Sequence, residues 1–240
     1  MFASSFDAVG ALTFDVFGTV VDWRASIIRE GEELGRAKGI DLDWPVFADS
    51  WRALYQPAMQ RVRSGEVAWC ALDDLHRMNL DELLMRHGID GLTVEEIDHF
   101  NRAWHRLDAW PDVVAGLTRL KTKFVLATLS NGNTALLVNM AKRACLPWDA
   151  VLGAETAGAY KPQPRAYLRS AEMLGLPPER CMMVAAHNGD LAAASALGMK
   201  TAFVRRPQEH GPDQTSDLEP DGTWDICAED FLDLAEKLGC

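Results

Sequence analysis

Residues 11–19 read ALTFDVFGT, an apolar run that ends in one carboxylate, Asp15, and then turns at Gly18. The run predicts a buried strand with Asp15 at its carboxyl end. In an open α/β sheet a side chain at that edge faces the crevice in which ligands bind, so Asp15 is placed to act as a nucleophile. The residue two positions later is Phe17, not a second acid. A plain turn or helix-cap role for Asp15 is the alternative, because aspartate is common in turns after strands.

The composition is ordinary for a soluble globular protein, with 48% hydrophobic and 25% charged residues among 240. A net charge of −11 argues against nucleic acid or an anionic membrane as partner, but it does not exclude a small anionic substrate. The five cysteines are scattered and lack metal-ligand spacing, which fits free thiols in a reducing cytoplasm. No apolar run approaches the roughly 20 residues of a membrane span, and no basic stretch precedes an apolar one at the N-terminus. The sequence therefore predicts a cytoplasmic protein.

Apolar runs alternate with helical patterns after residue 110, whereas residues 25–108 show helical periodicity only. Such alternation predicts a parallel sheet with helices on both faces, and the helical block predicts a second lobe over the strand ends. Residues 207–222 are rich in Pro, Gly, Asp and Gln, which predicts a long surface loop. Predicted strands cover residues 9–17, 124–129, 150–153, 181–186 and 201–204. Predicted helices cover residues 25–38, 45–64, 68–86, 93–107, 111–120, 134–143, 164–174, 191–197 and 230–238.

The start of the chain resembles the haloacid dehalogenase superfamily, whose members open with an aspartate nucleophile followed by Gly-Thr, here Asp15 and Gly18-Thr19. Phosphatases of that superfamily carry a second acid two residues after the nucleophile, which protonates the leaving alkoxide and whose backbone helps to hold magnesium. Phe17 can do neither. Because a halide leaving group needs no proton, the branch that this sequence resembles is the 2-haloacid dehalogenases. The resemblance also assigns substrate contacts to Val16 and Phe17.

The resemblance implies an α/β architecture: a Rossmann-like core with a parallel sheet flanked by helices, and a helical cap domain inserted just after the first strand. Residues 1–23 and 111–240 are then expected to form the core and residues 24–110 the cap. Metal-dependent relatives usually carry two acids near the end of a later strand, where this chain offers Asp190 alone. Together with Phe17, this predicts an enzyme that needs no metal and no cofactor.

Ser130 and Asn131 follow the predicted strand 124–129 and open a helix. Hydroxyl, amide and N–H groups at a helix N-terminus can bind an anion without a positive side chain. In the family that the chain resembles, this strand end holds the carboxylate of a haloacid, so Ser130 and Asn131 are expected to bind the substrate carboxylate. A plain N-cap and turn is the alternative.

Lys161 precedes Pro162 at the predicted start of a helix, where its charge opposes the helix dipole. A cation in that unfavourable place suggests another use, and Lys161 could neutralise Asp15 and orient it for attack. An isolated lysine would be read as a surface residue, but the order, the spacing and the following proline match the third motif of the family. Tyr167 matches a residue that the dehalogenases place near the substrate; ordinary helix packing is its alternative.

The segment from Val184 to Asp190, VAAHNGD, is a further strand end that runs into a helix. The resemblance places Asp190 beside the nucleophile and Asn188 in the catalytic set. The best-known dehalogenases have Ser-Ser-Asn where this chain has Ala-Ala-His, so the surroundings of the hydrolytic water differ here. His187 could accept a proton near pH 7 and so activate this water, and Asp190 is the other candidate base. A histidine that only hydrogen-bonds loop backbone is the alternative.

Arg52 follows Trp51 in the predicted cap, and this pair resembles the one that carries the halide-binding arginine of the dehalogenases. Its guanidinium would stabilise the charge that develops on the leaving halogen. The alternative is a surface arginine on an amphipathic helix. The four cap histidines are expected on polar faces rather than as metal ligands, since no pair has metal spacing backed by acids: His76, His87, His99 and His105.

The resemblance thus implies an (S)-2-haloacid dehalogenase. On that reading Asp15, held by Thr19, Lys161 and Asp190, is expected to displace halide from a small 2-halocarboxylate with inversion. Water would then hydrolyse the resulting ester to an (R)-2-hydroxy acid. The alternatives are a phosphatase or phosphonate-cleaving relative, which Phe17 opposes, and a binding protein that kept the fold without turnover. Substrate and halide are the expected partners, without nucleic acid or membrane, and a homodimer is left open.

Overall fold

The computed structural model describes residue 6 and residues 8–240, and its centre is a sheet of five parallel strands. The strands in chain order are β1 (Ala11–Phe14), β2 (Val21–Asp22), β3 (Asp108–Ala109), β4 (Val125–Thr128), β5 (Cys181–Ala185), β6 (Lys200–Val204) and β7 (Ile226–Ala228). The order in the sheet is β4-β1-β5-β6-β7, and β2 and β3 form a separate antiparallel ribbon.

The predicted strand at residues 150–153 is wrong, because that segment makes only isolated bridges to Ala127 and Ser130. The short strand β7 has no counterpart among the predictions. It covers three residues beside β6, at the outer edge of the sheet, where neither length nor a marked apolar pattern sets it apart.

The parallel register brings the functional strand ends together. Phe14 of β1 lies beside Thr128 of β4 and Val184 of β5, so the three strands finish at the same level. The residues that follow them along the chain therefore leave the sheet at one edge, as in other open parallel sheets.

Helices cover both faces of the sheet, as predicted. Alternate residues of β5 point to opposite sides: Met182 and Val184 join the larger apolar core, whereas Met183 and Ala185 join the smaller one. The helices are α1 (Trp23–Lys38), α2 (Trp44–Ala53), α3 (Tyr55–Arg63), α4 (Leu72–Arg86), α5 (Val94–Asn101), α6 (Val113–Leu120), α7 (Thr134–Ala144), α8 (Ala154–Ala157), α9 (Pro164–Met173), α10 (Asn188–Ser195) and α11 (Phe231–Lys237). The larger core includes side chains of α6 and α11, and the smaller core includes side chains of α9 and α10.

The single helix predicted over residues 45–64 is two helices that part at Leu54. Pro57 explains the break, since it has no N–H to donate to the carbonyl of residue 53 and cannot continue a regular helix. The predicted helix over 93–107 is also shorter, because its last turn tightens into a 3₁₀ helix, Arg102–His105.

The five helices α1–α5 form the inserted cap, and the ribbon β2–β3 lies where the chain enters and leaves it. Val21 pairs with Ala109 and Asp22 with Asp108. The α/β fold with an inserted helical cap is confirmed. The boundaries at residues 23–24 and 110–111 stay a prediction, as does the extent of the core domain at residues 1–5 and 7, outside the described residues. No helix in the described ranges has the length and apolar character to cross a membrane.

Candidate active site

A cavity of about 1000 Å³ lies over the carboxyl edge of the sheet, between the sheet and the cap helices. It brings together eight of the predicted site residues, from both parts of the molecule: Asp15, Phe17, Arg52, Asn131, Lys161, Tyr167, His187 and Asp190.

Asp15 is buried and has three polar neighbours. Thr19 donates a hydrogen bond to Oδ2 (2.8 Å), Lys161 donates one to Oδ1 (2.8 Å), and Nδ1 of His187 lies 3.1 Å from Oδ2. Burial alone would raise the pKa of Asp15, but the charges and hydrogen bonds of Lys161 and His187 outweigh it and hold the pKa well below its usual range. The carboxylate is therefore ionised and oriented, which a nucleophile requires.

Lys161 bridges two carboxylates. Its ammonium bonds Asp190 as well as Asp15, and its backbone N–H donates to Oδ1 of Asn131 (2.8 Å). Burial would lower the pKa of Lys161, but Asp15 and Asp190 raise it, so the lysine is a fixed cation. Tyr167 donates its hydroxyl proton to the other oxygen of Asp190 (2.5 Å). The predicted partnership of Lys161 with the nucleophile is thus present in the geometry.

His187 lies between Asp15 and a carboxylate that the sequence did not reveal, Glu209. Nε2 of His187 is 2.8 Å from Oε2 of Glu209. Burial would lower the pKa of His187, but Glu209 and Asp15 raise it well above its ordinary value. The resting imidazole is consequently protonated. Glu209 falls in the predicted surface loop 207–222, yet its side chain is only 1% exposed.

Arg52 reaches the cavity from α2. Its guanidinium stacks over the rings of Tyr55 (4.3 Å to the centroid) and Trp23 (5.3 Å). Its Nη2 is 3.9 Å from Oε1 of Glu209, whereas its buried Nη1 has no hydrogen-bond partner among the described residues. A buried donor without an acceptor is uncommon and expensive, so Nη1 is suited to receive an anion from the cavity.

A family model of haloacid dehalogenase-like hydrolases matches residues 9–198. The chain belongs to this family. The prediction from the motifs is confirmed.

Solved structures of other members are closely similar to this haloacid dehalogenase-like hydrolase. A defluorinating L-2-haloacid dehalogenase is 50% identical and superposes with a TM-score of 0.95, covering 97% of this chain and 96% of its own. A second L-2-haloacid dehalogenase is 48% identical with a TM-score of 0.93, over 96% and 98% of the two chains. The (S)-2-haloacid dehalogenase 4A of Burkholderia cepacia is 26% identical over 242 residues, covering 89% of this chain and 95% of the relative.

Phe17 is an apolar wall in this member of the family, at the position where the phosphatases carry their second acid. Its side chain is buried and meets the rings of Trp104 (6.0 Å between centroids) and Tyr55 (6.2 Å) edge-on. The backbone N–H groups of Val16 and Phe17 donate to no acceptor within the described part of the chain, which leaves two donors beside Asp15.

Four predicted site residues of this hydrolase do not line the cavity. Val16 is buried in the apolar core, and the hydroxyl of Ser130 accepts a hydrogen bond from the N–H of Gly132 (3.1 Å). The amide of Asn188 faces the loop after β6: Nδ2 donates to Asp217 (3.0 Å), and Oδ1 accepts from Trp224 (2.9 Å). Thr19, a fourth residue outside the lining, contacts Asp15 and also accepts from the N–H of Ala186 (2.9 Å). The roles of all four stay predictions.

All four cap histidines were expected on polar faces, but two of them, His76 and His105, are buried. His76 stacks on Trp104 (4.4 Å between centroids), and neither ring nitrogen has a hydrogen-bond partner among the described residues. His105 bonds Asp73 through Nε2 (3.0 Å) and Asn139 of α7 through Nδ1 (2.9 Å). The helical pattern failed to show this burial because the faces in question pack against the core and against other cap helices, which only the tertiary fold determines.

Proposed function

We propose that this chain is an (S)-2-haloacid dehalogenase that converts small 2-haloacids to 2-hydroxy acids through an ester on Asp15. One observation carries the proposal: an ionised, oriented Asp15 shares a cavity with the unpaired buried donor of Arg52, and no acid stands at position 17. The relatives named as 2-haloacid dehalogenases support the substrate class.

Displacement of the halide is the first step. A carboxylate oxygen of Asp15 attacks the α-carbon from the side opposite the halogen, the carbon–halogen bond breaks, and the halide leaves with the electron pair. Attack from that side inverts the carbon, so an (S)-substrate gives an (R)-product. Arg52 stabilises the charge that develops on the halogen, and this electrostatic task needs no proton donor at position 17.

The substrate carboxylate binds at the end of β4 in this proposal. Asn131 lines the cavity there, and Ser130 shapes the turn from beneath through its bond to Gly132. Lys161 supports this arrangement, since its backbone N–H fixes the amide of Asn131 while its ammonium holds Asp15.

Hydrolysis of the ester is the second step, and His187 is its base. Esterification removes the negative charge of Asp15, one of the two anions that raise the pKa of His187, so the imidazolium can release its proton to solvent. Nδ1 then accepts a proton from the water that attacks the ester carbonyl. Collapse of the tetrahedral intermediate breaks the bond to the alkyl oxygen, which takes the remaining hydroxyl proton and leaves as the hydroxy acid. The carboxylate and the imidazolium are restored.

A pair of assays tests the proposal. Halide release from (S)- and (R)-2-chloropropionate is measured beside hydrolysis of p-nitrophenyl phosphate with magnesium. Halide and (R)-lactate should form in equal amounts from the (S)-substrate alone, and no phosphate should be released. Phosphate release without halide would replace the proposal with the phosphatase alternative, and no turnover of either substrate would favour a binding protein.

Three further expectations belong to the proposal. Halide is the other product beside the hydroxy acid. The five free cysteines suit a reducing cytoplasm. A homodimer is left open, and sedimentation equilibrium would decide it.

A further inference from the structure

Glu209 is an almost fully buried carboxylate on the long connection between β6 and β7, and each of its oxygens has a distinct set of neighbours. Oε2 meets Nε2 of His187 (2.8 Å). Oε1 accepts from the indole N–H of Trp23 (3.1 Å) and lies 3.5 Å from His210 and 3.9 Å from Arg52. A buried charge needs partners of this kind to be tolerated.

The turn after the nucleophile leaves space for this carboxylate. Gly18 has a φ of +86°, and a Cβ atom at that position would come within 2.1 Å of the carboxyl group of Glu209. Any side chain at position 18 would therefore expel Glu209 as well as strain the backbone. The nucleophile turn and the distant loop fit each other at this point.

We propose that Glu209 is a positioning residue that holds His187 as the base for ester hydrolysis. A carboxylate only accepts hydrogen bonds, so the neutral imidazole keeps its proton on Nε2, facing Glu209. The lone pair is then on Nδ1, the nitrogen that lies 3.1 Å from Asp15 and faces the ester carbonyl. This role rests on the proposed function and deepens it.

The charges around His187 support these roles, in which Glu209 positions the ring and His187 accepts the proton. Asp15 and Glu209 contact the ring, while the cations Arg52 and Lys161 lie beyond these two anions, and His210 contacts Glu209 from the loop side. Burial would raise the pKa of Glu209, but His187 lowers it, so Glu209 stays ionised. When Asp15 is esterified, Glu209 is the anion that remains against the ring. The His187–Glu209 pair then resembles a histidine–carboxylate dyad, in which the carboxylate selects the tautomer and stabilises the imidazolium.

Glu209→Gln separates positioning from structure, because the amide keeps the shape and can accept from Trp23 but carries no charge. Ester hydrolysis should slow by about 10²–10⁴-fold, the usual worth of a positioned base, while halide release changes little. Halide should then appear in a burst equal to the enzyme concentration, with a mass adduct on Asp15. His187→Asn should give the same burst, and Glu209→Gln should add little to it in the double variant, as expected of residues acting through one another.

Three controls make the outcome decisive. Glu219→Gln, on the same loop with its side chain exposed, should leave both steps unchanged. Thermal unfolding checks that Glu209→Gln folds. Spectra of ¹⁵N-histidine protein, with the His187 signal assigned by its loss in His187→Asn, should show His187 titrating at lower pH in Glu209→Gln.

Halide release and ester hydrolysis slowed equally, with no adduct, would overturn the role of Glu209. An unshifted His187 titration would do the same. Failure of the unaltered protein to release halide from any 2-haloacid would instead contradict the proposed function. Failure of the role of Glu209 and failure of the proposed function therefore give different results.

Discussion

The two walls of the cavity differ in how their polar groups are satisfied. On the sheet edge every charge is paired: Lys161 joins Asp15 and Asp190, and His187 joins Asp15 and Glu209. On the cap wall the buried Nη1 of Arg52 lies among aromatic rings without an acceptor within the described residues. His76, whose two ring nitrogens are also unpaired there, lies behind that wall, against the rings of Phe17 and Tyr55. The sheet edge is thus organised before substrate arrives, whereas the cap wall has binding capacity still unused. Displacement needs this combination of a fixed nucleophile and a site that leaves room for the departing anion.

Asp15→Asn, on the sheet edge, should have the largest effect on turnover. Without the nucleophile, steady turnover should fall by a factor of about 10⁴ or more, as for other catalytic nucleophiles. In the unaltered protein, a single turnover in heavy-oxygen water should place the label on the Asp15 carboxylate before the product carries it. Peptide mass analysis after quenching measures this, and label that enters the hydroxy acid first would mean direct attack of water on carbon.

Arg52→Lys tests the unused capacity of the cap wall. A lysine keeps the charge but loses the planar fork and the stacking on Tyr55, so halide release should slow by about 10²–10³-fold. Ester hydrolysis should be nearly unaffected, and no adduct should build up. The single-turnover halide rate is the measurement. An adduct that accumulates would move Arg52 to the second step and contradict its halide role.

His76→Phe tests whether the unpaired histidine behind the cap wall affects stability alone. Burial lowers the pKa of His76 from 6.5 to about 3, with Asp73 opposing the shift. The folded state therefore resists a proton that the unfolded state takes up, and stability is lost as the pH falls below 6.5. Between pH 7 and pH 5 this linkage amounts to about 2 kcal/mol.

Urea unfolding at pH 7 and pH 5 measures this effect on the free energy of unfolding. The loss on acidification should be smaller in His76→Phe by about that amount, with halide release unchanged. A matched loss in both proteins would show that His76 is not held neutral. Reduced activity would make His76 part of the substrate wall.

Removal of metal ions by a chelator should leave the dehalogenation rate unchanged. The ammonium of Lys161 stands between the two carboxylates of the sheet edge, and position 17 has no acid, so a hard cation would find few oxygen ligands there. Dehalogenation rates with and without EDTA should agree. Activity that EDTA removes and magnesium restores would show that the reaction needs a metal ion at the sheet edge.

The site residues that the sequence indicates best are those whose positions depend on strand order. Asp15, Asn131, Lys161 and His187 each follow or flank a segment whose type the local pattern indicates, and a parallel sheet brings strand ends to one edge whatever the details of packing. The family motifs then favoured a functional role for these residues over a purely structural one.

Glu209 is a site residue that the sequence did not indicate. Its surroundings in sequence are those of a solvated loop, and the same composition correctly predicted that residues 207–222 form neither helix nor strand. The burial of Glu209 depends on Trp23, Gly18 and His187, which are distant in sequence, and no local pattern encodes their meeting. The break at Leu54 differs, because Pro57 could have signalled it from the sequence alone.

The ribbon β2–β3 joins the cap to the core close to the active site. Asp22 is at once a ribbon residue and the N-cap of α1, where its carboxylate accepts from the N–H of Ala25 (2.9 Å). Any swing of the cap about this ribbon would therefore turn α1 from its first residue, Trp23, whose indole holds Glu209. A change in the orientation of the cap would therefore displace Glu209 and, through it, the ring of His187.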